Sequence, residues 1–356
     1  MTKKILAFIG SYAEASDPGV YVCTFDGQTG ELQVTDSVSG LHNPTFLDVD
    51  PQRKTVYALG ETASASGERG CEAVAFEADV LQGKLRFINR EAAIQAPACH
   101  LSLDRQKGTL FTSSYHGGLI GVSSVTEDGR VGSLSQSIRH EGSSVLPVQS
   151  QARVHSVFID KQNRYAAVCD LGLDQIVIYR YDAEAHQLIR QSETRTAPGA
   201  GPRHFAFHPT LAYGFVINEL NSTITSYHYD EEAGKLTEIE TVPTLPDSFT
   251  GNNSTADIHV SPDGRFLYGS NRGHDSIVVF AVDGTSGKLT LVEHVSSGGG
   301  HPRNFALSPD GRFLLAANRD SNNVVGFERN EDTGKLQRTG TVLELSKPVC
   351  IKFMTV

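Results

Sequence analysis

The chain repeats itself seven times, and a sevenfold repeat of this length leaves few folds open. A turn followed by an apolar residue recurs as Thr29-Gly-Glu-Leu32, Gln82-Gly-Lys-Leu85, Asp128-Gly-Arg-Val131, Ala185-His-Gln-Leu188, Ala233-Gly-Lys-Leu236, Ser286-Gly-Lys-Leu289 and Thr333-Gly-Lys-Leu336. Successive spacings of the last residue are 53, 46, 57, 48, 53 and 47, a period in the range of propeller blades. A second ladder keeps the same period. It runs Phe46-Leu-Asp-Val-Asp-Pro51, His100-Leu-Ser-Leu-Asp-Arg105, Ser156-Val-Phe-Ile-Asp-Lys161, His204-Phe-Ala-Phe-His-Pro209, Asp257-Ile-His-Val-Ser-Pro262, Asn304-Phe-Ala-Leu-Ser-Pro309 and Cys350-Ile-Lys-Phe-Met-Thr355.

Between the ladders each unit reads as four short strands. In residues 256–295 these are Ile258–Val260, Phe266–Ser270, Ser276–Val282 and Leu289–Val295, with Ser261-Pro-Asp-Gly264 as a turn fixed by its proline and glycine. Helical periodicity is nowhere sustained. Four antiparallel strands per unit make a propeller blade, so residues 1–356 are expected to form a single all-β domain, a seven-bladed β-propeller. The repeat is circularly offset: the chain ends on a first strand, Val349–Thr355, and begins on a second, Ile5–Ser11, followed by Tyr21–Phe25 and Leu32–Ser37. The closing blade is therefore expected to combine both termini, which leaves no open seam. Two lysines before the short apolar run Ile5–Gly10 mimic a secretory leader, but six residues suit a strand better.

Composition removes several classes of function. The net charge of −10, with no Lys/Arg run, disfavours a nucleic-acid partner. No apolar run approaches the eighteen residues that a membrane span needs. Five cysteines, Cys23, Cys71, Cys99, Cys169 and Cys350, contain no C-x-x-C pair; they outline no zinc site and point to a reducing, cytoplasmic setting. No metal and no cofactor is expected. G-x-S-x-G, H-E-x-x-H and P-loop patterns are missing, and a chain without tryptophan is no conventional WD-repeat scaffold.

In a blade, the start of the first strand and the end of the second meet at one face near the axis. Those positions carry ionisable groups mainly in the middle units: His155, Arg203, Glu219 and Arg272. Two guanidiniums suit an anionic substrate group, and a histidine with a carboxylate can share proton transfer near neutral pH. Arg303 is a third candidate cation. His100, His116 and His204 lie at the same rim, where a hydrogen-bonded structural histidine is the competing reading. The long connection Ile138–Arg153 leads into His155 and should overhang this face, as should Pro246–Ser254.

These stretches resemble a known family. Ala197-Pro-Gly-Ala-Gly-Pro-Arg-His204, Asn218-Glu-Leu-Asn-Ser222 and Asp257-Ile-His-Val-Ser-Pro-Asp-Gly-Arg-Phe-Leu-Tyr268, running into Ser270-Asn-Arg-Gly-His-Asp-Ser276, are similar to the seven-bladed propeller lactonases over essentially the whole chain. That family includes bacterial 6-phosphogluconolactonases and is related to fungal carboxy-cis,cis-muconate cyclases. The resemblance implies a lactone hydrolase of carbohydrate metabolism, most simply a 6-phosphogluconolactonase. It implies His155 and Glu219 as catalytic groups and Arg203 and Arg272 as anion-binding ones, to which Arg303, His204 and His100 are added as substrate-binding candidates. Where many relatives read Pro-His-x-His before the fourth unit, this chain reads Ala152-Arg153-Val154-His155. The expected partner is a small, anionic lactone, and the expected state a monomer. Three alternatives stand beside this: a cycloisomerase of unsaturated dicarboxylates, a hydrolase of another sugar lactone, and a non-enzymatic propeller that only binds.

Overall fold

The structure, a computed structural model, describes residues 4–355. Its strands form seven four-stranded antiparallel sheets, each with its strands in sequential order from first to fourth. The closing blade (blade 1) pairs Pro348–Thr355 with Ile5–Ser11, then Val20–Phe25 and Leu32–Val38. Blades 2 to 7 begin at Leu47–Asp50, His100–Asp104, Val154–Ile159, Pro202–Phe207, Ser254–Val260 and Pro302–Leu307. The second ladder thus marks the first strands. Every copy of the turn ladder places its apolar residue at the opening of a fourth strand, from Leu32–Val38 to Leu336–Glu344.

The turn ladder needs glycine for two reasons. At Gly234 and Gly334 the backbone is left-handed, with φ of 60° and 72°, a region open to glycine at little cost. A Cβ at either position would also collide with an aromatic ring of the preceding blade, Tyr165 at 2.5 Å and Phe266 at 2.3 Å. The turn of one blade therefore sits on the ring of its neighbour. The contact is closed by hydrogen bonds across blades: Tyr165 Oη donates to Glu232 O (3.0 Å) and Tyr268 Oη to Gly334 O (2.8 Å).

The core lies between the sheets rather than in one centre. Inner and middle strands carry Val, Ile, Leu, Phe and Ala on both faces and are almost continuously buried, whereas the fourth strands alternate towards solvent. At the seam, Ile351 pairs with Ile9 and packs with Ala7, Phe25, Leu315 and Val324 against blade 7. Ile351 is 1% exposed. Ile351→Ala is expected to cost about 2–5 kcal/mol through lost transfer energy and a cavity, read as a fall in the urea midpoint. An unchanged midpoint would show that the C-terminal strand contributes little to ring closure.

Candidate functional site

One backbone device builds the site. At the start of the first strand in several blades the register slips by one residue. Val154 and Ser156 face consecutive partners, Asp170 and Cys169, so His155 is the extra residue. The same slip isolates Arg203 between Pro202 and His204 and Arg303 between Pro302 and Asn304. Such a bulge bends the strand and re-aims its side chain, and here it delivers a histidine and two arginines to the same rim. Glu219 follows directly on the second strand Tyr213–Asn218, and its N–H donates to Gly201 O (2.8 Å). Arg272 is the last residue of Phe266–Arg272.

Glu219 is the electrostatic hub. Its Oε2 accepts from Arg203 Nε (2.9 Å) and lies 3.0 Å from Arg272 Nη2, while Oε1 has no protein partner among the described residues. Arg203 Nη1 donates to Ala256 O (2.8 Å), and Arg272 Nη2 to Thr255 O (2.5 Å). Both guanidiniums are almost fully buried, at 2% and 5% of side-chain surface, whereas Glu219 keeps 18%. Burial alone would raise the Glu219 carboxyl; Arg272, Arg203 and Arg303 outweigh it and hold the carboxyl below the usual range. Burial, Arg272 and Arg303 lower Arg203 to about 9, which leaves it charged at neutral pH.

A cavity of about 370 Å³ opens over this hub, lined at the axis by His155, Glu219, Arg303 and Tyr12. That volume suits a sugar-sized ligand. His155 is 3% exposed. Its Nδ1 is enclosed with no hydrogen-bond partner, and the ring borders the cavity. Burial first, then Arg203, His204, Arg303 and His100, push its pKa well below the ordinary imidazole value, so at neutral pH it is an uncharged base. Arg303 lies over the Tyr12 ring, 5.9 Å from its centroid, and has no carboxylate partner among the described residues. Cys99 also faces the cavity, but burial pushes its thiol up to about 11; it stays protonated and is no nucleophile.

His204 and His100 lie beneath the floor and do not line the cavity, so neither sits where the sequence expectation of a substrate contact would put it. The rings of Phe46, His100, Phe158, His155 and His204 pack edge-on or tilted along the axis, with His204 5.2 Å from both His100 and His155. Arg203 Nη1 can only donate, so His204 Nε2 (3.3 Å) must accept, and His204 Nδ1–H donates to Asp257 Oδ1 at 2.8 Å. Asp257 Oδ2 accepts in turn from Asn304 Nδ2 (2.5 Å) and lies 3.0 Å from His259 Nε2. Asp257 thus orients His204, and His204 braces Arg203. Arg203 and Arg272 back the cavity rather than line it; the site cation that lines it at the axis is Arg303.

The two connections behave differently. Residues 138–153 do reach the cavity wall: Gln151 Nε2 donates to His116 O (2.8 Å), and the Arg153 guanidinium lies 4.6 Å from the Tyr115 ring centroid. Asp174 anchors this loop to the Ala197–Gly201 stretch through Ser144 Oγ (2.6 Å) and Gly201 N (2.7 Å). Pro246–Ser254 instead braces Asn271 from Asn253 and supplies a carbonyl to Arg272. Sequence reasoning passed over Arg69 and Asn43 in the cavity wall. Arg69 sits on a hairpin, Thr55–Ala63 with Arg69–Asp79, that extends past the other blades. Its Thr-Ala-Ser-Ala-Ser-Gly tip carries no strand pattern that could have shown this.

A propeller that gathers an uncharged histidine, an ionised carboxylate and an unpaired arginine at one mouth of its axis has the parts of a hydrolytic enzyme for a small anion. A match to the family described as Lactonase, 7-bladed beta-propeller spans residues 6–353. The chain belongs to the seven-bladed β-propeller lactonases and is a lactone hydrolase. It is 35% identical to a 6-phosphogluconolactonase of Bacillus subtilis, over 99% of both chains. It is 34% identical to a 6-phosphogluconolactonase of Formosa agariphila, over 84% of this chain and 85% of that one. The solved structure of a periplasmic gluconolactonase from Pseudomonas aeruginosa superposes with a TM-score of 0.91 at 31% identity, covering 99% of each chain. No helix among the described residues is long and apolar enough to cross a membrane.

Proposed function

We propose that this chain hydrolyses 6-phosphoglucono-1,5-lactone to 6-phosphogluconate. The observation that carries the reading is the pairing of uncharged His155 with ionised Glu219 on one cavity beside Arg303, in a surround where three guanidiniums meet one carboxylate. A chain of net charge −10 that concentrates positive charge there is built for an anionic ligand. The relatives named as 6-phosphogluconolactonases support the phosphorylated substrate. The five free thiols support a reducing compartment.

In this reading a water held by Glu219 Oε1 attacks the lactone carbonyl carbon, and His155 takes its proton. Arg303, backed by Arg203 and Arg272, stabilises the oxyanion. Collapse of the tetrahedral intermediate breaks the bond to the ring oxygen, His155 returns the proton to that oxygen, and the product is an open hydroxy acid. Glu219 Oε2 is engaged by Arg203 and Arg272, which leaves Oε1 to hold the water, and the uncharged His155 on the same cavity takes the proton.

The test is hydrolysis of freshly prepared 6-phosphogluconolactone and of unphosphorylated gluconolactone, each above its spontaneous rate. We expect clear acceleration, with higher kcat/KM on the phosphorylated lactone. Acceleration of neither lactone would overturn the reading.

A further inference from the structure

We infer that Arg69, His116 and Arg153 form a second anion subsite on the blade 2–blade 3 side of the same cavity, which takes the phosphoryl group while the lactone ring reacts at His155. This inference rests on the proposed substrate.

The cavity does not end at the axis. It continues along Thr45 and Cys99 to a wall made by Glu61, Arg69, Tyr115 and His116. Arg69 reaches it because the blade 2 hairpin keeps pairing, Glu61 with Cys71 and Ala63 with Arg69, beyond the length of the other second and third strands. Its guanidinium is aimed by Glu61: Arg69 Nη2 donates to Glu61 Oε2 (2.6 Å), while Asn43 Nδ2 holds Glu61 Oε1 (3.3 Å). Fixing one edge of the fork leaves the rest of its donors for a ligand. The Arg153 guanidinium lies over the Tyr115 ring and donates from Nε to Val148 O, and its two terminal nitrogens have no protein acceptor among the described residues. His116 lines the cavity with Arg69, and its ring centroid lies 5.3 Å from that of Tyr115, over which Arg153 is placed; after burial, both arginines lower its pKa. Its backbone carbonyl is held by Gln151.

Two arginines and an imidazole converging from three elements are a geometry for a multi-oxygen anion rather than for a neutral hydroxyl. The hub around Glu219 differs in kind: there Arg203 and Arg272 are engaged with the carboxylate and with backbone carbonyls, and Arg303 adjoins the reacting groups. One cavity therefore presents separate demands at its two ends, charge developing on a carbonyl oxygen at the axis and a permanent charge at the wall.

The experiment compares kcat/KM for 6-phosphogluconolactone and gluconolactone in the wild type, in Arg153→Gln, and in Arg69→Gln combined with Glu61→Gln so that no unpaired carboxylate is left at the wall. Loss of a charge-assisted contact should lower the phosphorylated-to-unphosphorylated ratio by about tenfold to a hundredfold in each variant. A ratio that stays constant, with both lactones slowed alike or neither slowed, overturns the subsite and leaves the lactonase reading standing. If the wild type hydrolyses neither lactone, that reading fails, and binding of inorganic phosphate by calorimetry decides the subsite alone. Phosphate affinity reduced tenfold or more in both variants supports it, and equal affinity overturns it.

Discussion

Replacement of His155 by Gln is expected to lower kcat for lactone hydrolysis by about 10²–10⁴-fold, the range for removing a positioned general base, with a native circular dichroism spectrum. The ring is buried and uncharged, and its Nδ1 has no partner whose loss would unsettle the fold. Glu219→Gln should lower kcat comparably but through another cause. It removes the anion shared by Arg203 and Arg272, leaving two buried guanidiniums without their counter-ion, a change of the kind that costs about 3–5 kcal/mol. The pair therefore separates by stability: His155→Gln melts near wild type and Glu219→Gln well below it. The pH profile supplies a second discriminator. Because burial and neighbouring cations depress His155 well below the ordinary value, wild-type kcat/KM should hold on acidification through pH 6.5 and fall only at more acid pH. Turnover in His155→Gln within threefold of wild type would sink the assignment of the base.

The architecture was readable from spacing because a propeller repeats its physics. Each blade must end its third strand in a tight turn that packs closely on a side chain of a neighbouring blade, so glycine recurs against a ring at Gly30, Gly234, Gly287 and Gly334 and against a threonine at Gly83 and Gly129. Where the ladder carries His186 instead, the backbone still holds φ at 49°, and the ring bonds Thr109 Oγ1 at 2.6 Å. Rim positions were readable for the same reason. First-strand starts and second-strand ends pointed to His116, His155, Glu219 and Arg303, all of which line the cavity.

What spacing could not convey was depth and pairing. Arg203 and Arg303 occupy equivalent bulges, yet the first is 2% exposed and braced by His204, while the second is open to the cavity. That difference comes from what Ala256 and Asp257 present across the neighbouring blade, a contact separated by 53 residues. His100 and His204 stand one position beyond the bulge that carries His155 and Arg203, at the register of Ser156, where they pack against Phe46 and Phe158; a shift of one residue took them off the cavity lining. The blade 2 hairpin was hidden because its pairing is carried by backbone hydrogen bonds beneath a polar, small-residue sequence.

The buried imidazoles also fix how the protein meets acid. His100 and His155 are held well below the ordinary value and His204 at about 4, in each case first by burial and then by cationic neighbours. In the unfolded chain each takes up a proton near pH 6.5. The folded state thus binds fewer protons than the unfolded state in this window, and unfolding free energy must fall as pH falls. The stabilisation is complete above about pH 6.5 and is lost progressively towards the folded pKa values, with a slope of about 1.4 kcal/mol per pH unit for each imidazole. Asp257 adds the same sign at lower pH, since His259 and His204 outweigh burial and hold its carboxyl well below the usual range. Three histidines together give about 4 kcal/mol per unit, large against a total stability of about 5–15 kcal/mol. Cooperative unfolding is therefore expected between about pH 6 and pH 4, accompanied by protonation of the axial cluster. Melting temperatures measured from pH 7.5 to 4.5 should fall steeply below 6.5. In His100→Leu, which removes one titrating ring, the dependence should be about one-third shallower whatever the starting stability. A melting temperature level from pH 7 to 5, or an unchanged slope in the variant, would mean that the axial histidines take up protons within the folded propeller, and His155 would then be a charged acid rather than a neutral base at mildly acid pH.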